Sequence, residues 1–132
     1  MTANQRVLVI DDSPLVVEAI SDGLEEDGVE VEGVTDLTEI DQSEGLDRFA
    51  LILIDVQMPA MFGDDVAIVM RQGRSVSTPI VLLSSLDEAE LAVRAQEAGA
   101  DGYISKRLGV DGILAEIRAW LDGKKSRRNK EG

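Results

Sequence analysis

The sequence predicts an α/β fold in which helices cover both faces of a parallel sheet. Apolar runs of four or five residues alternate with longer amphipathic stretches, and this alternation is typical of a doubly wound sheet. Three of the runs, residues 7–10, 51–54 and 80–83, are continuous and rich in valine, leucine and isoleucine. We therefore expect these three strands to lie in the interior of the sheet, buried on both faces.

The other two predicted strands are assigned to the edges of the sheet. Residues 29–33 alternate apolar or small positions with glutamates, a period of two that leaves one face of the strand in water. The last strand, around residues 102–105, is short and half polar. We expect right-handed crossovers between consecutive strands. With 132 residues, the chain is long enough for one such domain and too short for a second.

Four helices are predicted from their capping residues, which are Ser13, Asp64, Asp87 and Asp111. Ser13 precedes a proline in the first turn, and Asp87 is followed three residues later by Glu90, the spacing of a capping box. Gly28 and Gly99 are expected to end the first helix and the helix that Asp87 begins. The polar stretch 35–48 predicts a fifth helix, short and ragged.

The composition limits the chemistry that the chain can perform. It contains no cysteine and no histidine, which excludes disulfides, structural zinc, thiolate nucleophiles and histidine-based catalytic pairs. The formal charge is −13, but residues 124–132 carry +4 and residues 1–123 carry −17. Because residues 1–123 are so acidic, we expect them to repel nucleic acid and to attract divalent cations or a basic partner. We expect residues 124–132 to form a disordered basic tail.

Polar side chains follow four of the predicted strands. They are Asp11, Asp12, Asp55, Ser84, Ser105 and Lys106. Because the carboxyl ends of parallel strands emerge at one edge of a sheet, we expect these side chains to share one pocket. Carboxylate oxygens suit a hard cation such as Mg²⁺, and a carboxylate can itself attack phosphorus. The set therefore predicts a magnesium-assisted phosphoryl site.

Each of these residues also has a purely structural explanation. Asp11 and Asp12 could cap the next helix, while Ser84 could belong to a turn. Lys106 could be an ordinary surface lysine. Asp55 is poorly placed for capping because the residues after it do not begin a helix. We therefore predict Asp55 as the nucleophile, with Lys106 neutralising the phosphoryl oxygens and Ser84 donating a hydrogen bond.

Four sequence blocks together resemble the receiver domain of two-component response regulators. They are residues 7–12, 51–59 with Gly63, 79–85 and 98–106, in the order and at the spacing that the family uses. The resemblance extends from about residue 5 to residue 122, and we assign residues 1–123 to the domain. It implies a flavodoxin-like (βα)5 sandwich with the strand order 2-1-3-4-5, which is also the order of chemotaxis receivers. This order agrees with the two edge strands predicted above.

The resemblance also implies roles for individual residues. A sensor histidine kinase or a phosphotransfer protein would donate a phosphoryl group to Asp55. The implied Mg²⁺ ligands are Asp11, Asp12, Asp55 and the backbone carbonyl of Gln57, and the implied phosphoryl contacts are Ser84, Ser85 and Lys106. Ser84 and Tyr103 would turn inward together as a switch. The helix after Ser84, the last strand and the last helix, which are helix 4, strand 5 and helix 5 of the family's fold, would then present an altered face to a downstream target protein.

The chain departs from the family pattern at a few positions. Arg107 follows the lysine where the family usually has a proline, so the loop into the last helix is expected to differ in shape or rigidity. Ser84 replaces the commoner threonine. Gln57 and Leu86 occupy the positions that in the family tune attack of water on the acyl phosphate. Because leucine cannot hold that water, we expect slow or altered self-dephosphorylation.

The leading hypothesis is a cytoplasmic, monomeric single-domain response regulator that acts by docking to a target or by passing the phosphoryl group onward. We expect no DNA-binding domain after Gly123 and no binding of nucleic acid. No apolar stretch approaches the length of a membrane span, and no leader opens the sequence, so no membrane insertion is expected. The protein is expected to be no enzyme beyond its own phosphorylation and dephosphorylation.

Two alternatives stay open. The first is a receiver-shaped interaction module that does not need phosphate, which Arg107 favours and the complete set of predicted site residues disfavours. The second is a magnesium-dependent phosphatase with Asp11 as nucleophile. Such enzymes normally carry a second aspartate two residues later, where this chain has Ser13, and the chain has no glycine-rich phosphate loop.

Overall fold

The computed structural model describes residues 5–35, 48–57 and 78–123. This part contains one sheet of five parallel strands in the order β2-β1-β3-β4-β5. The strands are β1 (Arg6–Ile10), β2 (Glu30–Val34), β3 (Leu51–Asp55), β4 (Ile80–Ser84) and β5 (Gly102–Ser105). The predicted fold class and strand order are confirmed. The helix predicted from Asp64, most of the helix predicted over 35–48 and the basic tail lie outside the described residues.

The burial of the strands follows from their sequences. All residues of β3 and β4 are buried, as are the last four of β1, because helices cover these continuous apolar runs on both faces. In β2, only Val34 is buried, and β5 buries only Ile104. The interior and edge positions predicted from periodicity are therefore confirmed.

Three α-helices belong to the described residues: α1 (Pro14–Glu25), α2 (Glu88–Ala98) and α3 (Gly109–Leu121). The hydroxyl of Ser13 accepts a hydrogen bond from the Val16 amide, which confirms the predicted cap of α1. Gly99 ends α2 with a φ of 74°, in the left-handed region that glycine adopts without strain. The short 3-10 helix Lys106–Leu108 leads directly into α3.

Two details of the predicted helix starts need correction. Asp87 does cap α2, through the Ala89 amide, but Glu90 pairs with Arg94 (3.4 Å) instead of completing a capping box. Because these two side chains are one turn apart, their ion pair is available within the helix. Helix α3 begins before Asp111 and has no side-chain cap, since the preceding 3-10 helix already supplies the chain direction.

The core consists of two apolar layers, one on each face of the sheet. Along β1, Leu8 and Ile10 point to one layer and Val7 and Val9 to the other, as expected of a strand. The first layer contains Leu91, Ala95 and Ala98 of α2. The second contains Ile20 and Leu24 of α1 with Ile113, Leu114 and Ile117 of α3. No helix in the three described segments has the length and hydropathy needed to cross a membrane.

Candidate functional site

The carboxyl ends of two neighbouring strands bring three aspartates together. Asp11 and Asp12 follow β1, and Asp55 is the last residue of β3, the strand next to it. Each contributes a carboxylate oxygen, and these oxygens lie within 4.8 Å of one another. Asp11 and Asp55 are buried, whereas Asp12 is exposed. The sheet thus places the predicted carboxylates in one cluster that opens to solvent on the side of Asp12.

Backbone amides fix the orientation of the two buried carboxylates. Asp11 Oδ1 accepts a hydrogen bond from the amide of Ser13 (2.9 Å), and Asp55 Oδ1 accepts one from the amide of Gln57 (3.0 Å). Because these hydrogen bonds use the Oδ1 atoms, the Oδ2 atoms of both residues are left for other partners. Such turns, in which an aspartate bonds the amide two residues later, are common where a strand ends.

Lys106 completes the cluster from the other side. Its Nζ lies 2.8 Å from Asp11 Oδ2 and 3.6 Å from Asp55 Oδ2. Lys106 is the first residue of the 3-10 helix after β5, and its side chain contacts the aspartates that follow β1 and end β3. The predicted lysine and the predicted nucleophile therefore share one pocket, although 51 positions separate them in the sequence.

Burial makes Asp55 a weaker acid than an ordinary aspartate. Its pKa rises from 3.8 to about 6, chiefly because burial removes water from the charged form. The amide of Gln57 lowers the pKa and the neighbouring charge of Asp11 raises it, while Lys106 lowers it. Burial thus outweighs the stabilisation of the charged form that the Gln57 amide and Lys106 provide.

The donor set fits a hard divalent cation. Asp11 Oδ2 is buried and faces the Lys106 ammonium, 2.8 Å away. The ligands that this cluster offers are carboxylate oxygens, which Mg²⁺ prefers over nitrogen or sulfur. Asp11, Asp12 and Asp55 are therefore compatible with Mg²⁺ binding.

The predicted hydroxyl lies at the end of the next strand, and its hydrogen bonds are already in use. Ser84 Oγ donates to the side-chain oxygen Oε1 of Gln57 (3.2 Å) and accepts from the amide of Leu86 (3.1 Å). Ser85 Oγ also contacts Gln57 Oε1, at 3.5 Å. The Gln57 side chain thus joins the loop after β3 to the loop after β4.

Tyr103 lies outside the carboxylate cluster. Its ring packs on the apolar layer under α2, and its hydroxyl is 3.5 Å from Glu88 Oε2. It lines a groove of about 920 Å³ that runs between α2, β5 and α3. Arg107 and Trp120 line the same groove. The structure therefore separates the predicted switch tyrosine from the pocket that holds the predicted nucleophile.

A family model described as the response regulator receiver domain matches residues 7–118. This chain belongs to the response-regulator receiver family. Among curated relatives of this receiver, response regulator protein PmrA of Pseudomonas aeruginosa is 32% identical over 114 residues, which cover 86% of this chain and 51% of PmrA. DNA-binding response regulator MtrA of Mycolicibacterium smegmatis is 32% identical over 130 residues, which cover 98% of this chain and 54% of MtrA. The receiver thus spans about half the length of these relatives.

Solved structures support the same family assignment. The chemotaxis response regulator CheY4 of Vibrio cholerae superposes on this receiver with a TM-score of 0.76 at 28% identity, over 89% of this chain and 99% of that one. A CheY-like receiver domain from Methanospirillum hungatei gives 0.72 at 27% identity, over 98% of this chain and all of that one. The predicted resemblance and the flavodoxin-like architecture are confirmed, and the receiver is a module of two-component signalling.

Sequence reasoning missed two side-chain contacts of the receiver. The first is the contact of the Gln57 side chain with Ser84 and Ser85, since Gln57 was predicted only as a carbonyl ligand and as a position that tunes attack of water. The second is Arg107, whose Nε donates to the backbone carbonyl of Ser85 (2.9 Å). Both contacts join loops that leave neighbouring strands at the same edge of the sheet. A polar side chain directly after a strand end was the available signal, but it does not specify which partner the side chain takes.

Proposed function

We propose that this receiver accepts a phosphoryl group on Asp55 from the phosphohistidine of a sensor histidine kinase or of a phosphotransfer protein. The observation that carries the proposal is the position of Asp55 Oδ2. The Gln57 amide holds the other oxygen of this carboxylate, and Lys106 Nζ lies 3.6 Å from Oδ2 itself. A buried carboxylate with one fixed oxygen and one oxygen facing a cation is suited to nucleophilic attack on phosphorus.

The transfer exchanges one bond to phosphorus for another. An oxygen of Asp55 forms the new P–O bond as the P–N bond to the histidine breaks, and the electron pair of that bond stays on the imidazole nitrogen, which then takes a proton. The product is an acyl phosphate on Asp55. Lys106 neutralises charge on the transferred oxygens, which is the main contribution a protein makes to phosphoryl transfer.

The proposed metal ligands are Asp11, Asp12, Asp55 and the backbone carbonyl of Gln57, with Mg²⁺ as the ion. When bound, Mg²⁺ would supply positive charge that reduces repulsion between the carboxylates and an incoming phosphoryl group. The buried Asp11 Oδ2 already faces one cation, the Lys106 ammonium 2.8 Å away, which supports this assignment. So does the exposure of Asp12, which leaves one side of the cluster open to ions and water.

The proposed switch consists of Ser84, with Ser85 beside it, and Tyr103. Ser84 has a single hydroxyl proton, which is engaged by Gln57 in this structure. To donate to a phosphoryl oxygen on Asp55, Ser84 must release Gln57, and the loop after β4 must follow. Tyr103 would then turn from Glu88 towards the space that the loop leaves. This is a two-state element that one covalent charge can bias.

The proposed output surface is the face formed by α2, β5 and α3. Its groove is lined by Tyr103, which the switch would move, and by charged residues that include Glu88, Arg107 and Glu116. A downstream target protein would recognise the altered groove. We propose no catalysis beyond the receiver's own phosphorylation and dephosphorylation.

A small phosphodonor tests this function without knowledge of the kinase. The receiver is incubated with acetyl phosphate and Mg²⁺ and analysed by intact mass. We expect the mass of one phosphoryl group on the unaltered chain, none on Asp55→Asn, and normal labelling of Asp22→Asn, a matched change at an exposed position of α1. Absence of labelling in the unaltered chain would contradict the proposal and favour the phosphate-independent module. Repeated turnover of a phosphate ester would instead favour the phosphatase.

A further inference from the structure

Arg107 connects the two loops that flank the phosphoryl site. Its guanidinium Nε donates to the backbone carbonyl of Ser85, 22 positions earlier in the chain, at 2.9 Å. Its backbone amide donates to Ser105 Oγ (3.1 Å), which fixes the first turn of the 3-10 helix that carries Lys106. Ser84 and Ser105 are register partners in β4 and β5, so the two loops leave the sheet side by side.

The residues that Arg107 joins are direct neighbours of site residues. Ser85 follows Ser84, whose hydroxyl is bonded to Gln57 in this structure. Arg107 itself follows Lys106, whose Nζ contacts both buried aspartates. Among the described residues, the Arg107 guanidinium forms no ion pair with an acidic side chain. Its hydrogen bond there is to the Ser85 carbonyl, in the loop after β4.

We infer that Arg107 is a positioning residue that holds the loop after β4 in its phosphate-free arrangement. This inference rests on the proposed function. When Ser84 moves towards a phosphoryl group on Asp55, the backbone carbonyl of Ser85 moves with it and away from the 3-10 helix. The hydrogen bond from Arg107 to this carbonyl then breaks. A contact present in only one of two states shifts the equilibrium towards that state. Arg107 therefore opposes the change that phosphorylation drives.

The size of the effect follows from the worth of one hydrogen bond. A bond between a charged side chain and a carbonyl at the surface contributes modestly, and its loss should shift the equilibrium by about two- to tenfold. We expect Arg107→Met to bind beryllofluoride, a stable mimic of the phosphoryl group, about two- to tenfold more tightly in the presence of Mg²⁺. Labelling by acetyl phosphate should accelerate by a similar factor.

A second variant separates the hydrogen bond from the charge. Arg107→Lys keeps the positive charge but removes the Nε donor. If the hydrogen bond matters, Lys and Met variants both bind beryllofluoride more tightly than the unaltered chain. If only the charge matters, Arg107→Met binds the anion more weakly and Arg107→Lys binds it normally, and this result would overturn the inference. Arg94→Met, which removes an arginine that pairs with Glu90 on α2, is the matched control and should bind normally.

A measurement on the free protein keeps the inference testable even if no phosphoryl group is accepted. The amide of Leu86 donates to Ser84 Oγ, so its hydrogen exchange reports on the loop after β4. We expect about two- to tenfold faster exchange of this amide in Arg107→Met and Arg107→Lys, with an unchanged midpoint of global unfolding. Unchanged exchange at Leu86 would contradict the inference, whereas failed labelling of the unaltered chain would contradict only the proposed function.

Discussion

Trp120 of α3 packs its indole directly on Gly102 of β5. A Cβ atom placed on Gly102 would lie 2.5 Å from Trp120 Cζ2, which is closer than two non-bonded carbon atoms approach in proteins. The indole Nε1 is buried and has no hydrogen-bond partner among the described residues, so the contact is purely one of packing. Only glycine at position 102 lets the helix lie this close to the edge strand, and the same pair forms part of the groove beside Tyr103.

We therefore predict that Gly102→Ala destabilises the protein by about 1–3 kcal/mol, the usual cost of overpacking. Urea unfolding measures this loss. In a Trp120→Phe background, the cost of Gly102→Ala should shrink, because phenylalanine lacks the ring atoms nearest the new methyl group. An equal cost in both backgrounds would show that the indole does not restrict position 102.

The pKa of Asp55 gives the receiver a pH-dependent stability. In the metal-free protein, the folded state holds the Asp55 proton up to about pH 6, whereas the unfolded chain releases it near 3.8. The unfolded state therefore ionises first as the pH rises, and the free energy of unfolding falls between about pH 4 and pH 6. Above pH 6, the burial of this charge costs on the order of 2–3 kcal/mol.

Asp55→Asn removes this ionisation, so we predict that the variant is more stable than the unaltered chain at pH 7.5. The gain should be on the order of 2 kcal/mol and should nearly disappear at pH 4, where the folded protein holds Asp55 neutral. Urea unfolding in EDTA at the two pH values provides the measurement, with Asp22→Asn as the exposed control. A gain of the same size at both pH values would argue against the raised pKa.

Lys106 is predicted to compete with Mg²⁺ for Asp11. Its ammonium lies 2.8 Å from the fully buried Oδ2 of that residue. Lys106→Met should lose about 1–3 kcal/mol of stability in EDTA, because a buried carboxylate loses its cationic partner. Mg²⁺ should then stabilise this variant more than it stabilises the unaltered chain, since a ligand that binds only the folded state adds its binding free energy to stability.

The measurement is the urea midpoint with EDTA and with Mg²⁺, and Lys106→Arg, which keeps the charge, is the conservative control. Equal stabilisation of the methionine variant and the unaltered chain by Mg²⁺ would show that Lys106 and the ion do not share Asp11.

Much of the fold could be predicted from the sequence because its determinants are local. The continuous apolar runs of β1, β3 and β4 specify interior strands, and the alternation in β2 specifies an edge. The cluster of Asp11, Asp55 and Lys106 followed from topology, since parallel strands release their carboxyl ends at one edge.

Side-chain contacts between distant segments were not predictable in the same way. The contact of Trp120 with Gly102 depends on how α3 lies across β5, and the bond from Arg107 to Ser85 depends on one arginine rotamer. The 3-10 helix before α3 was also not predictable, because three residues are too few to show a periodic pattern. It is the reason that α3 begins before Asp111. Residue spacing specifies faces and edges, but it does not specify which of several polar partners a long side chain selects.

Leu86 is predicted to lengthen the lifetime of the acyl phosphate. Its amide lies 3.1 Å from the hydroxyl of Ser84, the proposed phosphoryl contact. Its side chain is partly buried against the apolar layer under α2. An apolar side chain there cannot orient a water for attack on phosphorus. Leu86→Glu should therefore accelerate loss of the phosphoryl group, by up to about 10²-fold if the carboxylate acts as a positioned base.

The time course of mass loss after removal of the phosphodonor measures this rate. Leu86→Met keeps an apolar side chain of similar volume and should leave the lifetime unchanged, which separates polarity from altered packing. A lifetime that is the same for glutamate and leucine would mean that attack by water is limited elsewhere, with the Gln57 side chain as the next residue to vary because it covers Ser84 from the opposite loop.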